Sequence, residues 1–171
     1  MNGSAIAVTG PGATPVGAIK NSEQHLDGLP PFHHVNRSNT MSIILTDQDK
    51  LTLRTAAWGA VSLMSAAGAA GSAHKVATHG SIALTSATGP VGHVLTKAPK
   101  GVKYGKTVAE LADQVLPALT ASMTLLKRQD PAEADNFRST VNVAIDAATH
   151  TQSSPTLADM ARKINEALDA A

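Results

Sequence analysis

Three histidines, His74, His79 and His93, have the widest chemistry in the patterned part of this chain, since imidazole can ligate a metal or carry a proton near neutral pH. Their spacing tells against a shared metal. Five residues separate His74 from His79, about 140° of helical rotation, whereas two ligands on one helix face stand three or four apart. His93 could join them only through the bend at Gly89-Pro90, and the helix carrying the pair has no paired carboxylate. The chain has no cysteine, which rules out disulfides and thiolate metal sites. The expectation is no metal and no cofactor, with the histidines at helix ends or bonded within the core. His33 and His34 fall before the patterned region.

A second candidate is Gly105-Lys106-Thr107, similar to the end of a phosphate-binding loop, where backbone N–H groups and a lysine cradle phosphate. The glycine required five places earlier is replaced by Lys100, with Gly101 one position off, and no strand precedes it. Thr107 and Glu110 can satisfy the helix N-terminus themselves, and Glu110 would repel an anion. An ordinary capped helix is therefore expected here. The lysines just before it, Lys97, Lys100, Lys103 and Lys106, put four positive charges in ten residues without an acid. They could contact nucleic acid, an anionic membrane or an acidic partner. The simplest expectation is a solvated loop beside the acidic segment 107–171, which holds nine acids against five bases. A formal net charge of +1, with one tyrosine and one tryptophan, gives no sign of specific nucleic-acid binding. No catalytic constellation emerges: there is no G-x-S-x-G elbow and no apolar carboxylate pair, so nothing positively suggests an enzyme.

The elements that would position these residues are helices. Aromatics make up 2% of the chain, so its apolar content is mostly Ala, Val and Leu, which bring helix axes close together. Thr46 and Asp49 make a near-capping box for a helix running to about Ala67, with Leu53, Ala57, Ala60 and Met64 on one stripe widened by Trp58 and Val61. Gly68 and Gly71 break it. A second helix should run from about Ser72 to a C′ residue at Gly89, and Pro90 can open a short helix through Leu95. Residues 98–106 read as a loop. Thr107 and Glu110 cap the next helix, in which Pro117 should produce a kink. Asp130-Pro131-Ala132-Glu133 starts another helix, and Ser154-Pro155 the last. No window alternates with period two. The expected fold is all-α, a bundle of about five helices over residues 41–171. The first forty residues hold Pro11, Pro15, Pro30 and Pro31 without sustained apolar period. They read as a flexible, dispensable tail without a secretory signal, with Met41 as a candidate start.

Residues 55–96 contain a single formal charge, Lys75, and small residues recur four apart, as at Ala56 and Ala60. A helix with little charge on any side is usually buried. Three covers can be envisaged: the helices that follow, a second copy of the chain, or a lipid surface. The uncharged run 55–73 is nineteen residues long but rich in Gly, Ser and Ala, so membrane contact without spanning is the most it suggests. The stretches AAWGAVSLMSAAG and HGSIALTSATGPVGHVL, within residues 45–97, resemble uncharacterised small helical proteins of high-GC actinobacteria. That resemblance carries no motif of known chemistry and implies no activity.

These features lead to a non-catalytic helical interaction or scaffold protein, cytoplasmic, self-associating or built into a larger assembly through the 55–96 pair. Ala56, Ala60, Met64, Val76, Gly80 and Ala83 are its expected contact residues. The alternative is a small-molecule binding protein or enzyme. Its pocket would lie between the helices starting near Thr46, Ser72 and Thr107, lined by Trp58, His74, His79 and His93. A third reading is anion or nucleic-acid binding through the four lysines, with an affinity that falls steeply with salt.

Overall fold

The computed structural model describes residues 43–150 and 153–171, which form six α-helices and, among the described residues, no strand. The expected tail and the candidate start at Met41 lie outside them. The helices are α1 (Asp47–Ala67), α2 (Ala73–Thr85), α3 (Gly89–Leu95), α4 (Val108–Gln129), α5 (Pro131–His150) and α6 (Pro155–Asp169).

Local chemistry sets most of these boundaries. Thr46 Oγ1 accepts the Asp49 N–H at 3.1 Å, while the Asp49 carboxylate accepts the Thr46 N–H at 2.9 Å, so α1 opens on a full capping box. Gly68 closes it, donating to the Met64 carbonyl at 2.9 Å. Thr107 and Glu110 repeat the box at α4. Asp130 serves two helices: its N–H ends α4 on the Leu126 carbonyl at 2.7 Å, and its carboxylate accepts from Ala132 N–H at 2.9 Å to open α5. Ser154 Oγ caps α6 through Leu157 N–H at 3.2 Å. One expectation is corrected. The second helix ends at Thr85 rather than near Gly89, which instead opens α3 with φ of +77°. Its left-handed backbone turns the chain into the short helix, a geometry open to glycine. The fourth helix runs continuously through Pro117, which is exposed, so the carbonyl it cannot serve can be hydrated.

The carboxylates of Asp49 and Glu110 are held below the usual carboxylate range. The Thr46 hydroxyl is the main cause for the first; for the second it is the Thr107 backbone N–H, then that of Lys106. A depressed folded value means stabilisation that is complete above about pH 4 and lost as pH falls through the folded value. Glu110→Gln is expected to lower the melting temperature at neutral pH and to converge with wild type in acid; a constant gap across the titration would contradict this. Thr107→Ala removes the same cap at a cost of about 1 kcal/mol.

In the packing, α1 is the axle. It touches each of the other five helices, and no residue from Asp49 to Gly68 is exposed. Close approach is possible because glycine faces β-branched residues at two crossings. A Cβ built on Gly59 would stand 2.3 Å from Val115 Cγ2 of α4, and one on Gly80 of α2 would stand 2.9 Å from Val61 Cγ1. Phe137, Leu53, Leu63, Met64, Leu119 and Met123 are among the largest fully buried side chains. Ala56, Ala60, Met64, Val76 and Gly80, expected to contact another molecule, are all buried inside the bundle. The correction has a simple reason: α4, α5 and α6 supply, within one chain, the cover that α1 requires. No described helix is long and apolar enough to cross a membrane.

Candidate functional site

The residues expected to share a pocket do not meet. Trp58 is half-buried, and its indole Nε1–H donates to the Leu95 carbonyl at 3.1 Å. One turn earlier on α1, the Arg54 Nε–H donates to the Val94 carbonyl at 2.9 Å. These two side chains fasten the C-terminal end of α3, whose last carbonyls have no partner within the helix. His74, His79 and His93 are all exposed. His79 borders a shallow depression with Ile82, Ala83 and Ala147, whereas His93 belongs to cavities at the junction of α1 and α3. His74 lines none of these cavities. Among the described residues, no three His, Asp or Glu side chains are grouped closely enough to hold a metal ion.

The lysines are also dispersed. Lys97 borders a cavity with Lys50, Arg54 and His93, but Lys100, Lys103 and Lys106 border none of the cavities described here. None of the four forms an ion pair with a described residue, although the acidic segment follows directly. The α4 N-terminus is closed to phosphate. Glu110 Oε2 accepts the backbone N–H of Lys106 at 2.8 Å and of Thr107 at 3.1 Å, occupying the donors an anion would need. The loop of residues 98–106 is pinned to α1 by Tyr104, whose hydroxyl donates to the Thr55 carbonyl at 3.3 Å. Burial pushes this phenol up to about 12. Because the folded value lies above the unfolded one near 10, the stabilisation is complete below about pH 10 and lost as pH rises toward the folded value. Tyr104 is the chain's single tyrosine, so phenolate absorbance should appear only near pH 12 or together with unfolding. A reversible phenolate transition at the unfolded value with the helices intact would disprove the anchoring.

The outer face of α2 is one of the parts of the charge-poor segment that remain exposed, along with residues 69–71 and 88–90, His93 and Thr96. Thr78, His79, Ile82, Thr85 and Ser86 are exposed there. α5 packs alongside α2, and its Val143 and Ser139 continue the same surface. Ile82 is 58% exposed and Val143 54%. A groove of about 370 Å3 runs between the helices, bordered by Ala83, Ser86, Asn136, Ser139, Thr140 and Val143 among others. Neither this groove nor the adjoining depression at Ile82 has an Asp, Glu, Lys or Arg in its lining. Of the six expected contact residues, Ala83 alone lies here, half-buried and bordering both hollows.

Ile82 and Val143 were not singled out from sequence, although a signal exists. Val143 stands two residues from the buried Val141, about 200° around the helix, and Ile82 is offset likewise from the buried Gly80. Large aliphatic residues set opposite the core stripe are the trace such a face leaves. Comparison with family models, curated proteins and solved structures returned no match.

Proposed function

We propose that this protein is a non-catalytic helical interaction protein that self-associates through the outer face of α2 and α5. The observation supporting this reading is the conjunction of two exposed large aliphatic side chains, Ile82 of α2 and Val143 of α5, with a lining free of formal charge. A second copy is the occupant best matched to it. A neutral surface does not repel its own image, and a two-fold axis through the groove would set Ile82 and Val143 of one protomer against the same patch of its partner. Charged residues are depleted at the centre of interfaces. A cytoplasmic location accords with a chain that has no cysteine.

Lysine at Ala60 would test folding rather than association, because that side chain is 1% exposed. Ile82→Lys and Val143→Lys are the informative changes: both positions are exposed, and lysine is at least as good a helix former as the residue it replaces. Wild type is expected to show concentration-dependent mass in sedimentation equilibrium. Each substitution should weaken association by roughly tenfold or more, with an unchanged melting temperature at low concentration. A wild-type chain that stays monomeric at high micromolar concentration would overturn the reading.

A further inference from the structure

The junction of α1 and α3 carries a different feature, independent of the α2–α5 face. Arg54 is half-buried, yet its Nε–H meets a neutral carbonyl, and its two Nη groups bond no described residue. A guanidinium has five N–H donors in a rigid fork, and a neutral acceptor leaves its charge uncompensated. Around it lies a cavity of about 220 Å3 bordered by Lys50, Arg54, His93, Val94 and Lys97, with no carboxylate among them. Lys97 has no hydrogen bond or ion pair to a described residue, and Lys50 is paired only with Asp47, at 3.2 Å on the surface. Three formal positive charges thus border one small cavity in a chain whose net charge is +1.

This cavity adjoins a larger one of about 660 Å3, which shares Lys50, His93 and Val94 and is otherwise bordered by Ile43, Ile44, Leu45, Gly89 and Pro90. Ile44 is 81% exposed, the most open large aliphatic side chain among the described residues. The two hollows differ in chemistry: one is cationic with a forked donor, the other mainly aliphatic. Their sizes sum to the range in which small-molecule sites fall, roughly 300–1,000 Å3.

We propose that this junction binds a small organic anion. Its carboxylate or phosphate head meets Arg54 and Lys97, and its apolar body lies along Ile43, Ile44, Leu45 and Pro90. The fork of Arg54 suits either oxyanion, and a half-buried cation gains more from an anion than an exposed one does, because solvent screens the pair less. Arg54 is oriented for this by its bond to α3, so little side-chain freedom remains to be lost on binding.

Calorimetric titration of the full chain with hexyl phosphate, hexanoate, inorganic phosphate and 1-hexanol tests the proposal. Emission from Trp58, one turn from Arg54 and the chain's single tryptophan, gives a second readout. At least one organic anion is expected to saturate at one per chain, and the tighter of the two identifies the head group. Inorganic phosphate and 1-hexanol, each engaging half the site, should bind roughly tenfold more weakly or worse. Lys97→Ala, a change at an exposed side chain without described partners, should weaken binding by about fivefold or more, whereas Lys75→Ala on α2 should leave it unchanged. The proposal is overturned if neither organic anion saturates by about 10 mM. It is overturned equally if inorganic phosphate binds as tightly as hexyl phosphate, or if the two lysine variants weaken binding alike.

Discussion

Gly59→Ala lowers the stability of this protein by about 1–3 kcal/mol, although the same change in an exposed helix would stabilise it by close to 1 kcal/mol. The reason is the crossing of α1 and α4. The added methyl would stand 2.3 Å from Val115 Cγ2, 3.0 Å from Cγ1 and 3.3 Å from Cβ. Valine is stiff about χ1, so Val115 does not readily turn its methyls away, and its Cβ would remain at 3.3 Å. Val115 is fully buried, so it has no solvent to move into, and the helices must separate. The partner substitution makes the argument specific: Val115→Ala removes both methyls and leaves room for the one added at residue 59. Gly59→Ala with Val115→Ala should therefore be less destabilised than the sum of the single variants, a positive coupling readable in urea denaturation. Additive single effects would mean that the crossing is not the source of the loss.

Phe137→Ala is the second large effect, expected at about 3–5 kcal/mol. Phe137 heads the fully buried side chains by volume, in a chain with two phenylalanines. It sits on α5, which like α1 touches every other helix, so the space it leaves is bordered by elements already fixed by their own contacts. The cost rises with the volume left empty. Against a total stability of about 5–15 kcal/mol for a domain, this loss leaves a substantial unfolded population on mild heating. Val143→Ala, six residues along the same helix but 54% exposed, is the control and, at protein concentrations low enough to keep the chain monomeric, should stay within about 0.5 kcal/mol. A small loss at residue 137 in chemical denaturation would show that the interior relaxes and is not close-packed there.

These two sites mark the boundary of what could be read from the chain. Phe137 falls on a three-four stripe with Ala134, Val141, Ala144, Ile145 and Ala148 that is legible in the sequence, and all six are buried. The crossing at Gly59 is not legible there, because nothing near it in sequence signals Val115. The candidate site shows the same division. The uncharged stretch was visible as an anomaly that needed cover, but residues 56, 60, 64, 76 and 80 were assigned to an outside partner when the chain itself covers them. The open remainder, at Ile82 and Val143, needed the structure to be found.

By itself, the sequence determined where α1, α4, α5 and α6 begin, because those starts are decided within three or four residues. Thr46 with Asp49, Thr107 with Glu110, Asp130 before Pro131 and Ser154 before Pro155 each satisfy orphan backbone groups with their own neighbours. Only the tertiary structure decided which helix becomes the axle and which surface stays open. Those outcomes depend on pairs far apart along the chain, such as Arg54 with Val94, Trp58 with Leu95 and Gly59 with Val115. Apolar burial is non-directional: periodicity tells a helix which face to hide but never what to hide it against.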